Sequence, residues 1–170
     1  MQDLLVQLKD LLHDRVCVMG VGNIDYADDG FGVRLAEALQ AKGFPDVVVA
    51  GNTPERWIGR VAEENFYGLL FLDAVDFGAQ PGSLLLMNAN EIAQRFPQIS
   101  THKISLGWLA HYAETQGPMH VWLLGAQPET LKPGAALSPT LVTTMHAVCE
   151  LFWKVMAGKR VEPFTGRQAS

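Results

Sequence analysis

The chain has 170 residues, of which 48% are hydrophobic, and it carries a formal net charge of -5. This length suits one domain with a sizeable core, and the negative charge argues against a general nucleic-acid-binding protein, which needs basic residues to neutralise phosphates. The two cysteines, Cys17 and Cys149, lack metal-ligand spacing, which argues against a zinc ribbon or a disulfide framework.

The N-terminal stretch MQDLLVQLKDLLHDR has leucines at positions 4, 5, 8, 11 and 12. This is the spacing of one helical face, so it predicts an amphipathic helix over residues 1–14 and not a targeting signal. No uninterrupted apolar run approaches the roughly 20 residues that a membrane span requires. We therefore expect a cytoplasmic protein that does not bind membranes. The negative charge predicts that it does not bind nucleic acid either, and we expect it to be a monomer.

The next stretch, RVCVMGVGNIDYADDGFGV, predicts a buried strand, a glycine turn and a helix from about Gly30 to Ala41. It resembles a dinucleotide-binding loop, but the position of the third glycine is occupied by Asp25. Asp28 and Asp29 follow where a phosphate would approach, and like charges repel there. The loop therefore favours a cation over a phosphate, and nucleotide binding is a remote alternative.

The remaining chain alternates strands and helices. In order, the predicted elements are the strand DVVVAG, the helix TPERWIGRVAEE with Thr53 as its N-cap, the strand GLLFLDAV, the strand SLLLMN, a short helix over Ala89–Arg95, the helix STHKISLGWLAHYAET, the strand MHVWLLGAQP and a helix over residues 138–157. The third strand is the most apolar and should be central, whereas the short connection before SLLLMN favours antiparallel pairing.

This order predicts an α/β fold. We expect a single domain over residues 1–157, with a mostly parallel twisted sheet of about five strands sandwiched between helices, and a polar C-terminal tail over residues 158–170.

Ligands of open α/β sheets bind beyond the carboxyl ends of the strands, and three groups of side chains qualify there. Asp28 and Asp29 follow the first strand, Asp73 ends the third, and His102 precedes or opens a later helix. Two carboxylates and an imidazole suit a borderline divalent ion. The alternatives are that an aspartate caps the helix, that Asp73 binds loop amides, and that His102 is a surface residue.

Other side chains are weaker candidates. Asp76, three residues past Asp73, is either a further site carboxylate or a brace for its own loop. The chain has no G-x-S-x-G motif, Cys17 falls in a predicted buried strand and Cys149 in a helix, so a serine or thiol hydrolase is not indicated.

Four stretches occur in the order of a known family: GVGNIDYADDGFGVRLAEAL, LLFLDAVDFGAQPGSL, STHKISLGWLAHYAE and LLGAQPETLKPGAALSPTL. They resemble the hydrogenase maturation endopeptidases, which remove a C-terminal extension from the large subunit of nickel-iron hydrogenases. The segment GNTPE and the segment STHKISL look most like the branch that processes hydrogen-evolving hydrogenases.

The resemblance implies that Asp29, Asp73 and His102 bind metal, and that Asp29 and Asp73 are the catalytic carboxylates. It also implies that the metal is nickel carried by the large-subunit precursor, so that the isolated protease has an open site. Asp29 or Asp76 is then the candidate general base. The alternative function is a non-catalytic, metal-dependent binding module for the same precursor.

Overall fold

The computed structural model describes residues 2–95 and 105–158, and within them the chain forms five strands, six α-helices and one 3-10 helix. The strands are β1 (Val16–Val21), β2 (Val47–Gly51), β3 (Gly68–Ala74), β4 (Leu84–Asn88) and β5 (His120–Ala126). The helices are α1 (Gln2–Leu11), the 3-10 helix (Ala27–Gly30), α2 (Phe31–Ala41), α3 (Glu55–Glu63), α4 (Ala89–Arg95), α5 (Leu106–Gln116) and α6 (Pro139–Gly158).

The strands form one sheet in the order β2-β1-β3-β5-β4. All neighbouring pairs are parallel except β4 with β5, which is antiparallel. β3 is central and all seven of its residues are buried, as its apolar sequence predicts. The predicted α/β fold, the five strands and the antiparallel β4 are therefore confirmed.

Two hydrophobic layers enclose this sheet. On one face, the core contains Ile58 of α3, Ile92 of α4 and Leu109 of α5. On the other face it contains Leu8 of α1 and Phe152 of α6, together with residues of α2. Alternate residues of β3 point into the two layers, so both faces of the sheet are covered by helices.

Several predicted helix ends differ from the structure. α3 follows Pro54, and no side chain caps it, so the N-cap prediction for Thr53 is wrong. Ser105 is extended and its hydroxyl accepts a hydrogen bond from the Trp108 N–H, so the helix predicted from STHKISL begins only at Leu106. α6 includes Gly158, the first residue of the predicted tail, and the rest of that tail lies outside the described residues.

Among the helices of residues 2–95 and 105–158, none combines the length and the apolar character needed to cross a membrane.

Candidate functional site

The carboxyl ends of the three central strands meet at one edge of the sheet. β1, β3 and β5 run parallel, and Asp73 near the end of β3 pairs with Gly125 of β5. The loops that follow these strands therefore lie side by side, where α/β proteins bind their ligands. The predicted site residues Asp29 and Asp73 both belong to this edge.

Glycines allow α2 to pack directly against this edge of the sheet. A side chain at Gly32 of α2 would overlap the carbonyl oxygens of Val21 and Leu72, which end β1 and precede Asp73. Gly22 has a φ of 135°, and a side chain there would overlap the backbone carbonyl of Asp29. The glycines thus bring the turn that carries Asp29 against the ends of β1 and β3.

Asp29 lies in the 3-10 helix, and only 3% of its surface is exposed. Its Oδ2 accepts a hydrogen bond from the Asn23 N–H at 2.9 Å, and its own N–H donates to the Tyr26 carbonyl at 3.0 Å. The loop after β1 is therefore held by hydrogen bonds between its own backbone and Asp29. This fixes the position of Asp29 relative to the edge of the sheet.

Asp28 is also fully buried, but its carboxylate is directed at another loop. Its Oδ2 accepts hydrogen bonds from the N–H groups of Glu129 and Thr130 at 2.9 and 3.0 Å, and from the Ser138 hydroxyl at 2.9 Å. Its Oδ1 accepts from the Ser138 N–H at 2.7 Å. Asp28 is therefore a brace between the loop after β1 and the loop before α6.

The alternative that Asp28 caps α2 is wrong, because the N-cap position of α2 is Gly30 and the carboxylate of Asp28 is committed to the loop before α6. The two adjacent aspartates therefore have different roles: Asp28 is a brace between two loops, and Asp29 is held beside the strand ends.

Asp73 is 2% exposed. Its Oδ1 accepts a hydrogen bond from the N–H of Ala74 at 2.8 Å. Ala74 is the last residue of β3, so this donor is a strand amide and not the loop amide considered as an alternative to metal binding. The carboxylate is thus oriented by its own backbone at the end of the central strand. A buried carboxylate at a strand end is costly unless it is hydrogen-bonded or binds a cation.

Asp76 is exposed and braces its own loop. Its Oδ1 accepts hydrogen bonds from the Gly78 N–H at 3.1 Å and from Nε2 of Gln127 at 3.0 Å. These two donors lower the pKa of Asp76 below its usual range, with Gln127 making the larger contribution. The predicted brace is therefore confirmed.

Gln127 is a residue that the sequence analysis missed. It directly follows β5 and is 6% exposed. The signal was present, because the rule that selected Asp73 at the end of β3 applies equally to a polar residue at the end of β5.

His102, the predicted third metal ligand, lies outside the described residues. Within residues 2–95 and 105–158, no group of three His, Cys, Asp or Glu side chains is placed to hold a metal ion. The structure thus places Asp29 and Asp73 at one edge, and the three-residue ligand set stays a prediction.

Both cysteines are buried and unbonded to each other. Burial raises the pKa of Cys17 to about 12 and also raises the pKa of Cys149. Raised pKa values disfavour a reactive thiolate at either cysteine, which agrees with the exclusion of thiol catalysis.

Comparison with known proteins gives a consistent result. The profile of the family HycI, hydrogenase maturation protease, matches residues 33–154. The chain is 31% identical over 165 residues to the hydrogenase expression/formation protein HupD of Bradyrhizobium diazoefficiens, which covers 88% of this chain and 85% of HupD. It is 28% identical over 144 residues to the hydrogenase 2 maturation protease of Escherichia coli, covering 80% of this chain and 87% of that protein.

The fold is shared as well. The crystal structure of the [NiFe] hydrogenase maturation protease HycI from Thermococcus kodakarensis superposes with a TM-score of 0.79 at 27% sequence identity. The superposition covers 89% of this chain and 99% of that one.

Proposed function

The chain belongs to the hydrogenase maturation protease family, and from this we propose that it removes the C-terminal extension of a nickel-iron hydrogenase large-subunit precursor. A protease that matures a hydrogenase is what the relatives share.

The observation that carries this proposal is the pair of buried carboxylates at the sheet edge. Asp29 lies in the 3-10 helix that follows β1, and Asp73 is the next-to-last residue of the neighbouring strand β3. Gly32 allows α2, which follows Asp29, to pack against β3 at Leu72. Carboxylate oxygens together with the imidazole of His102 are donors that suit a borderline divalent ion such as nickel. We propose that these three residues bind the nickel that the precursor carries.

Recognition of a metal on the substrate explains why cleavage would occur only after the metal has been inserted. A precursor that has not received nickel lacks the partner that the carboxylates require, so it binds weakly and stays intact. Cleavage then follows metal insertion. On this proposal the nickel is part of the substrate and not a resident cofactor of the protease.

Asp29 and Asp73 are also the proposed catalytic carboxylates. Asp76 was the other candidate general base, but hydrogen bonds from Gln127 and Gly78 lower its pKa. A lowered pKa makes a carboxylate a weaker base, which disfavours Asp76 for proton abstraction near neutral pH. This leaves Asp29 as the proposed general base.

The test is cleavage of a purified large-subunit precursor, with and without nickel, followed by mass spectrometry. We expect the wild-type protein to shorten only the nickel-loaded precursor, and Asp29→Asn, Asp73→Asn and His102→Ala to lose processing while remaining folded. Asp25→Asn removes an exposed carboxylate from the same loop and serves as the matched control, with activity unchanged.

Two results would contradict the proposal. A nickel-loaded precursor that stays intact while a control protease can cut it would refute the protease assignment, and tight binding without shortening would identify a non-catalytic binding module. Full activity of any one of the three variants would remove that residue from the proposed ligand set.

We further propose that the enzyme acts as a monomer in the cytoplasm. The two buried, unpaired thiols suit a reducing compartment. Sedimentation equilibrium should give the mass of a single chain.

A further inference from the structure

The side chain of Gln127 is buried, and its amide is directed at a neighbouring loop. Oε1 accepts hydrogen bonds from the N–H groups of Phe77 and Ala79 at 2.9 and 3.2 Å. Nε2 donates to Asp76 Oδ1 at 3.0 Å and to the Pro128 carbonyl at 3.5 Å. One amide thus holds three residues of the loop over residues 76–79, which is separated from β3 by Val75 alone.

The backbone of Gln127 also holds the far end of this connection. Its N–H donates to the Ser83 carbonyl at 2.8 Å, and its carbonyl accepts from the Gly82 N–H at 2.9 Å. The residue after β5 therefore fixes both ends of the segment between β3 and β4. A buried amide that makes three of its four hydrogen bonds to one loop restrains the shape of that loop.

Asp76 completes the arrangement as an acceptor. Its Oδ1 receives hydrogen bonds from Gln127 and from the Gly78 N–H, so the carboxylate ties the start of the loop to its middle and to β5. An amide oxygen at this position can accept the same two hydrogen bonds. The negative charge of Asp76 is thus not required by the geometry.

We propose that Gln127 and Asp76 form a positioning pair for the proteolytic reaction: they hold the loop over residues 76–79 in a fixed shape beside Asp73, where the precursor binds. The inference rests on the proposed function. In this pair Gln127 is the donor and Asp76 the acceptor. Neither residue is a catalytic residue.

The pair can be tested by exchanging donor and acceptor. Asp76→Asn keeps an oxygen that accepts from both Gln127 and Gly78. Gln127→Glu keeps the acceptor for Phe77 and Ala79 but places a carboxylate against Asp76, where like charges repel. The double variant Gln127→Glu/Asp76→Asn restores a side-chain hydrogen bond with reversed polarity, while giving up the bond from Gly78.

The measured quantities are kcat and KM for cleavage of the nickel-loaded precursor, together with the thermal midpoint of each variant. We expect Asp76→Asn to stay within about twofold of wild type and Gln127→Glu to lose about tenfold in kcat/KM, the size expected for one charge-assisted hydrogen bond. The double variant should recover to within about threefold of wild type, since most of the loop geometry returns.

Arg15→Met is the control for general destabilisation. Arg15 bridges Asp46 and Glu64 at the opposite end of the sheet, so its loss should lower the thermal midpoint without changing kcat/KM.

A large loss of activity in Asp76→Asn would overturn the proposal, because the charge itself would then be needed. Wild-type activity in Gln127→Glu, or no recovery in a folded double variant, would overturn it as well. If the wild-type protein leaves the nickel-loaded precursor intact, the proposed function fails before the pair is tested, so the two failures are distinguishable.

Discussion

Asp28 and Asp29 are neighbours of the same chemical type and are both buried, yet they have different partners. The carboxylate of Asp28 accepts four hydrogen bonds from the loop before α6, whereas the carboxylate of Asp29 accepts a hydrogen bond from Asn23 of its own loop. The two acids could be selected from the sequence, because they follow a predicted strand. Their division of roles could not, since the donors to Asp28 lie more than one hundred residues away.

This division predicts unequal effects of the same substitution. Asp28→Asn replaces one acceptor oxygen with an NH2 group, which then faces N–H or O–H donors and cannot accept from them. This should lower the free energy of unfolding by about 2–3 kcal/mol. Asp29→Asn leaves an oxygen that can still accept from Asn23 and should cost less. Urea denaturation of both variants measures the difference, and equal losses would contradict the brace role of Asp28.

Because both thiols are buried, we expect the native protein to react slowly with thiol reagents. Because burial raises the pKa of Cys17 to about 12, this thiol stays protonated at pH 8, and the pKa of Cys149 is raised too. A thiol reagent at pH 8 should label the native chain very slowly and both cysteines promptly after denaturation in guanidinium chloride. Rapid labelling of the native protein would show that one thiol is accessible.

At the scale of elements, strands were predicted better than helix ends. Apolar runs such as GLLFLDAV identify a buried strand by themselves, and the short connection before β4 predicts its antiparallel direction. Helix ends depend on local capping that competes with nearby alternatives. Thr53 before α3 and the serine and threonine residues before α5 are all good capping residues. Both helices nevertheless begin later than the sequence pattern indicated.

The close packing of α2 against the sheet predicts that a side chain at Gly32 is not tolerated. Gly32→Ala would push a methyl group into the carbonyl oxygens of Val21 and Leu72, which belong to central strands and cannot move aside. We expect a loss of about 3 kcal/mol in the free energy of unfolding.

Gly59→Ala is the matched control within α3. A methyl group there meets no atom within 4 Å, so this helical substitution should stabilise the protein by roughly 0.5–1 kcal/mol. Similar effects of the two substitutions in chemical denaturation would contradict the close approach of α2.

At the scale of the whole molecule, the site unites residues from distant parts of the chain. The rule for strand ends selected Asp28, Asp29 and Asp73 from the sequence, and the family resemblance chose Asp29 over Asp28. Applied to β5, the same rule would also have selected Gln127. His102 was selected for its position near the start of a predicted helix, and the family resemblance implied the same ligand role, although no local spacing links it to the aspartates. Long-range hydrogen bonds such as those of Gln127 and Asp28 leave no periodic signal in a single sequence.

The N-terminal helix belongs to the same hydrophobic layer as α2 and α6, so it should support the whole domain. Leu8 is fully buried, and Leu8→Ala should lower the free energy of unfolding by about 3 kcal/mol. Val6 on the same helix is 56% exposed, and Val6→Ala should change it by less than about 0.5 kcal/mol.

Thermal and urea unfolding of the two α1 variants provide the measurement. Cleavage well below the thermal midpoint should be unchanged in both, since α1 is remote from the strand ends. A stability loss at Val6 as large as that at Leu8 would contradict the packing of α1.

The hydrogen bonds between Asp28 and Ser138 also bear on how the enzyme is made. These residues are 110 positions apart, and joining them closes a long loop only after the intervening β2, β3, β4 and β5 exist. During synthesis the turn with Asp29 therefore stays unbraced until the last third of the chain has left the ribosome. A nascent or C-terminally truncated protease lacks a finished site, so proteolytic competence arises late in folding.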